Sequence, residues 1–181
     1  MNWNQFIPYQ DHRNLGKIAS VYLNDDKTLI KRCFHSNGIT ANGRPTEKSE
    51  EYIIERWETE ASALIRFNGL WFMPRLIEID MKQRYVIQEY CGPDLLTSGF
   101  KNIRDIEDQV VEIFKYISDQ GLYKINGSLS NMTQKNGQIK MFDFKYLSPK
   151  SKESKRLEEY SIDNWLSKIS PTIVPKLKNL L

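Results

Sequence analysis

Apolar positions recur along this chain in two rhythms, one close to every second residue and one of every third or fourth. Ile18 to Leu23 and Thr28 to Phe34 are rich in β-branched and large apolar side chains, with the turn-forming run Asn24-Asp25-Asp26 between them. Residues 14–34 are therefore expected as a β-hairpin. Residues 35–48 carry two Asn-Gly pairs, a proline and few apolar groups, and read as a mobile loop. From Glu50 to Phe67 the spacing of Ile53, Trp57, Ala61, Leu64 and Phe67 predicts a helix with one apolar face, stopped by Asn68-Gly69. Pro74 to Ile79 and Arg84 to Tyr90 read as a second hairpin joined at Met81-Lys82-Gln83, and Cys91-Gly92-Pro93-Asp94 breaks the pattern as a hinge would. Ile103 to Gln120 is the clearest helix, with Ile106, Val110, Ile113, Phe114 and Ile117 as its buried stripe and Gly121 at its end. A loop and a short hairpin around Lys135-Asn136-Gly137 follow. Leu157, Tyr160, Ile162, Trp165, Leu166 and Ile169 then mark a helix with a break near Ser161, and Pro171 to Leu181 a short last one. This order predicts an α+β protein in two lobes, residues 1–90 and 91–181.

Composition narrows the class without naming a function. The chain has 181 residues, of which 40% are hydrophobic and 12% aromatic, enough for a core and against disorder. The formal charge is only +3, with basic and acidic residues interspersed, so no nucleic-acid partner is expected. The densest basic run, Lys150 to Arg156, reads as the solvated start of a helix. Cys33 and Cys91 are the only cysteines; they make no disulfide framework and no metal-ligand spacing, and fit a reducing, cytoplasmic setting. The N-terminus lacks the pattern of a secretion signal, and no apolar run approaches the roughly 20 residues needed to span a membrane.

Two segments carry the candidate chemistry: Tyr123-Lys124-Ile125-Asn126-Gly127-Ser128-Leu129-Ser130-Asn131-Met132 and Ile139-Lys140-Met141-Phe142-Asp143-Phe144-Lys145. Asn131 and Asp143 flank the expected hairpin. An amide oxygen and a carboxylate on facing segments are hard oxygen ligands of the kind magnesium takes. The plainer alternative is an Asn that caps a turn and an Asp that ends a strand. Further back, Lys31 sits inside an apolar strand, where most lysines simply face solvent. Glu60 lies beside the apolar face of the first helix, with Glu58 as its competitor and Glu51 and Glu55 as solvated positions. Gly16 stands in Leu15-Gly16-Lys17-Ile18-Ala19-Ser20-Val21-Tyr22, which a plain hairpin explains equally well.

In family order, Lys31, Glu60, the stretch from Glu89 to Leu95, Asn131 and Asp143-Phe144-Lys145 resemble the protein-kinase-like superfamily over residues 14–145. Ser130-Asn131-Met132 is similar to the catalytic loop of small atypical kinases such as that of the tRNA-threonylcarbamoylation complex. The resemblance implies a minimal bilobal fold: an antiparallel-sheet N-lobe with one helix, and a truncated, mostly helical C-lobe. It also implies ATP and magnesium held between the lobes. Lys31 would grip the phosphates and pair with Glu60; Gly16 would belong to the glycine-rich loop; the backbone of Glu89 and Cys91 would meet adenine, beside Gln88. Asn131 and Asp143 would hold the metal.

The departures from the family pattern concern catalysis. Asn126, five residues before Asn131, stands where a kinase carries its catalytic Asp, and a neutral amide has no useful basicity. An alignment shifted by two residues puts Ser128 there, which is no better a base. Lys124 and Ile125 replace the usual preceding residues, Lys145 replaces a Gly, and only 36 residues follow Lys145, with no Ala-Pro-Glu-like segment. The expectation is a pseudokinase that holds nucleotide and acts on a protein partner. The competing expectations are a slow kinase using Lys31, Asn131 and Asp143, and a scaffold that binds no nucleotide.

Overall fold

The computed structural model describes residues 6–9, 18–35, 37–39, 45–100 and 103–181. They divide into two compact units, Met1–Gly69 with Pro74–Tyr90, and Leu70–Met73 with Cys91–Leu181.

The first unit is built on five antiparallel strands: β1 (Phe6–Pro8), β2 (Ala19–Asn24), β3 (Leu29–Phe34), β6 (Leu76–Asp80) and β7 (Tyr85–Glu89), in the order β1-β2-β3-β7-β6. The β2–β3 turn is held by its own polar side chains. Asn24 Oδ1 accepts from the Thr28 and Leu29 backbone amides at 3.0 and 2.7 Å, the local bonding that makes Asn a turn residue. Helix α1 (Glu50–Arg66) starts at Ser49, whose hydroxyl accepts from Tyr52 N at 3.2 Å, with Glu50 and Glu51 in the first turn. Its face of Ile53, Trp57, Ala61 and Leu64 is buried, and the Trp57 ring lies 5.0 Å from that of Phe34 on β3. Residues 37–39 and 45–47, expected in a loop, form two short paired strands, β4 (Asn37–Ile39) and β5 (Pro45–Glu47). Strand pairing is a backbone interaction and needs no apolar pattern to announce it.

The second unit is mostly helical. It contains α2 (Leu95–Ser98), α3 (Ile106–Asp119), α4 (Lys152–Asn164) and α5 (Ile173–Lys178), with two small hairpin-like pairs. β8 (Leu122–Lys124) pairs with β11 (Leu147–Pro149), and β9 (Met132–Lys135) with β10 (Gln138–Met141). Val110, Ile113, Phe114 and Ile117 of α3 are buried, as the spacing predicts. Leu70–Met73 lies in this unit rather than in the N-terminal one. Met141 N donates to Phe72 O at 2.7 Å, Lys140 Nζ donates to Trp71 O, and the Phe72 ring stands 5.7 Å from Tyr116. The break expected near Ser161 falls at Trp165. Ser161 stays helical and fully buried, its hydroxyl donating to Ile125 O, so a polar residue in mid-helix serves a neighbouring loop. Among the described residues no helix is long and apolar enough to cross a membrane.

Candidate functional site

The loop between β8 and β9 is organised around a buried lysine. Lys124 is fully buried, and its ammonium donates to the backbone carbonyls of Asp143, at 2.7 Å, and Asn126, at 3.2 Å. The same Asn126 carbonyl accepts from Asn131 Nδ2 at 2.8 Å. Asn131 closes a 3-10 turn over Leu129–Asn131, and its own carbonyl accepts from Phe142 N at 3.0 Å. Asn126 and Asn131, five residues apart, and Asp143, twelve residues further on, are thus drawn together by one ammonium and a few backbone groups. Gly127 is required by close approach: a Cβ there would come within 2.5 Å of the Phe114 ring and 3.4 Å of Lys124 O. Ser128, the alternative base position, caps the turn, with Oγ 3.0 Å from Ser130 Oγ.

Asp143 has φ of +62°, in the left-handed region that non-glycine residues seldom enter. Both of its carboxylate oxygens lie 2.5 Å from the ammonium of Lys145, and the two side chains are each only 15% exposed. Behind the loop, Glu158 of α4 is buried against Lys124. Burial pushes its carboxyl up to about 7, while the Lys124 charge and backbone N–H act the other way. Its Oε2 meets no hydrogen-bond donor among the described residues.

A second cluster belongs to the first unit. Glu60 is fully buried and paired with Arg32, and Arg32 Nη2 also lies 3.3 Å from Gln88 Oε1. Among the described residues no partner reaches Glu60 Oε2 or Gln88 Nε2. Glu58 is exposed, which leaves Glu60 as the buried acid of α1. The ion pair expected between Lys31 and Glu60 is made instead by the next residue, Arg32. Successive strand residues point to opposite faces, so a one-residue difference decides which cation meets the helix. The Lys31 ammonium lies 4.4 Å from the Tyr85 ring centroid.

Of the remaining candidates, Glu89 exchanges bonds with Arg75, its N donating to Arg75 O at 2.9 Å and its Oε2 accepting from Arg75 N at 3.4 Å. The carbonyl of Cys91 lies 2.9 Å from the Thr133 hydroxyl, which is also within reach of the Gly92 and Pro93 carbonyls. Gly16 lies outside the described residues. Arg32, Glu158 and the clamp made by Lys145 were not singled out from sequence. The one available signal for Arg32 was its i, i+2 relation to Phe34, which shares its face of the strand.

Of the two residues expected to hold magnesium, Asn131 and Asp143, each already makes a side-chain contact. Asn131 spends its amide nitrogen on Asn126 and keeps its amide oxygen for another contact. Magnesium, however, needs near-ideal octahedral oxygen coordination with carboxylate support. At Asp143 it would have to displace an ammonium held at 2.5 Å from both oxygens.

No protein-family model matches this chain, and no curated protein matches its sequence. Among solved structures it is similar to WbdD, crystallised with the kinase inhibitor LY294002, at 12% identity and a TM-score of 0.60. The match covers 92% of this chain and 38% of that one, so the chain spans little more than a third of its neighbour's length. At this identity the likeness is one of fold. The fold is α+β and kinase-like, with an antiparallel-sheet unit carrying one long helix and a small, mostly helical unit.

Proposed function

We propose that this protein is a pseudokinase: a kinase-shaped module that binds nucleotide, transfers no phosphate, and acts by presenting its folded surface to a partner protein. The observation that carries this reading is the state of the loop from Tyr123 to Met132. Its framework is intact, knitted by Lys124 to Asn126 and Asp143, yet the loop contains no carboxylate. The acid whose backbone Lys124 holds, Asp143, is engaged at both carboxylate oxygens by Lys145. A proton acceptor for an attacking hydroxyl is what a kinase needs there, and an amide does not supply one. Lys31 and the backbone of Glu89 and Cys91 are the remaining candidates for nucleotide contact.

Thermal melting with and without ATP, beside a radiolabelled phosphotransfer assay, tests the proposal. A ligand selective for the folded state stabilises it by about 2.7 kcal/mol at a hundredfold excess over Kd, so ATP is expected to raise Tm. Label transfer is expected to match that of an Asp143→Ala control. Transfer that the control abolishes would make the protein an active kinase. A Tm unmoved by ATP would leave a scaffold without nucleotide.

A further inference from the structure

We propose that the outer face of α4 is a self-association surface, on which a second copy of this chain packs antiparallel about a two-fold axis. Three features of the helix lead there.

The first is that α4 turns polar residues inward. Ser154, Glu158 and Ser161 are buried, and the two serines bond to backbone: the Ser154 hydroxyl donates to Pro149 O at 2.7 Å and that of Ser161 to Ile125 O. Leu157 and Tyr160 point the other way and are 43% and 58% exposed. A surface helix ordinarily does the reverse. Residues three apart on a helix are neighbours, so Leu157 and Tyr160 form one apolar spot. The Tyr160 ring is held in place edge-on to Trp165, with centroids 5.9 Å apart. The second feature is charge. Lys152, Lys155 and Arg156 lie in the first half of α4, and Glu159 and Asp163 in the second. This order opposes the helix dipole, which favours acids at the N-terminus and cations at the C-terminus. An antiparallel neighbour sets the basic half of each helix beside the acidic half of the other. The third feature is register. Arg156, Tyr160 and Asp163 follow one another at steps of four and three, along one stripe of the helix. A two-fold axis passing between Leu157 and Tyr160 brings Leu157 onto Tyr160 of the second copy. It also brings Arg156 beside Asp163 of the second copy, and does both twice. Parallel pairing would oppose like charges instead. Asp163 already meets Lys178 at 2.8 Å, but both side chains are exposed, and a carboxylate has room for a further donor. An anionic lipid surface fits less well, because Glu153 and Asp163 share this face. The apolar spot is small, which places the association at the weak end of protein interfaces.

The test is analytical ultracentrifugation of the full chain from about 10 μM to about 1 mM, the range in which weak complexes form. The wild type is expected to shift from monomer toward dimer across it. Arg156→Asp and Asp163→Arg are each expected to weaken association at least about tenfold, and the double variant to recover it to within about threefold of wild type. Leu157→Asn, which alters no charge, is expected to weaken it at least about fivefold. Lys82→Asp, exposed in the first unit, makes the same change in net charge as Arg156→Asp and is expected to leave association unchanged. Each substituted side chain is exposed, so circular dichroism of every variant should match the wild type. A wild type that stays monomeric throughout overturns the proposal, as does a dimer indifferent to Arg156→Asp or a double variant that fails to recover. A monomer that co-sediments with phosphatidylserine vesicles, and ceases to do so in Leu157→Asn, overturns it in favour of a lipid surface.

Discussion

Each unit of this molecule buries a cation beside a glutamate, and the two pairs are built differently. In the first unit Arg32 contacts the carboxylate of Glu60 and the amide oxygen of Gln88. A planar guanidinium can address two side-chain oxygens at once, so strand β3 is tied to helix α1 through side chains alone. In the second unit Lys124 directs its ammonium to two backbone carbonyls, those of Asn126 and Asp143. Glu158 gains that charge only from nearby, plus one backbone N–H, and its carboxyl rises to about 7. The first pair joins two elements. The second stiffens a loop and leaves a carboxyl poised near neutral pH.

The largest test of this contrast is to break the first pair. Removing one member of a buried ion pair strands the other, at a cost of about 3–5 kcal/mol. Glu60→Ala is expected to lose stability of that order in urea unfolding, and a loss under about 1 kcal/mol would show that Arg32 does not depend on Glu60. The second pair should reveal itself through pH. Because the folded pKa of Glu158 lies above its ordinary 4.5, the folded state holds this proton more tightly than the unfolded state. The associated stability is fully present below about pH 4.5 and is lost as pH rises through about 7. A carboxyl moved that far carries on the order of 3 kcal/mol. Denaturation at a series of pH values should show the wild type weakening between pH 5 and 8, and Glu158→Gln with a flatter profile; parallel curves would place the titration elsewhere.

Two smaller changes sharpen the picture. Gly127→Ala drives a methyl group into the Phe114 ring beside the Lys124 loop, and is expected to cost about 1–3 kcal/mol by differential scanning fluorimetry. A neutral result would mean that the loop yields easily, contrary to its being knitted by Lys124. Glu58→Ala, two residues from Glu60 but exposed, is expected to change stability by less than about 0.5 kcal/mol. An effect as large as that of Glu60→Ala would remove the distinction between the two glutamates.

Much of this was legible beforehand wherever a pattern repeats. The helical spacing of Ile53, Trp57, Ala61 and Leu64 located α1, and that of Val110, Ile113, Phe114 and Ile117 located α3, with ends shifted by a few residues. The turn residues Asn24 to Asp26 and Asn136-Gly137 marked two hairpins. The short strands at 37–39 and 45–47 escaped because their pairing leaves no side-chain signature. In the site, the choice of Glu60 over Glu58 followed from lying next to an apolar face. The resemblance implied Lys31 as its partner and Arg32 was not weighed; Arg32 meets Glu60 instead, because β3 has large side chains on both faces and its alternation says little about which face is covered.

The amino-acid order by itself thus set the local rhythm, the α+β succession of elements and the absence of a carboxylate at position 126. Each of these depends on residues near one another along the chain or on chemical identity alone. Only the folded molecule decided that Arg32 meets Glu60, that Lys124 is buried among carbonyls, and that Lys145 closes over Asp143. Those outcomes depend on which face of a strand is covered and which way a turn bends, and both are fixed by packing between segments that the sequence keeps far apart.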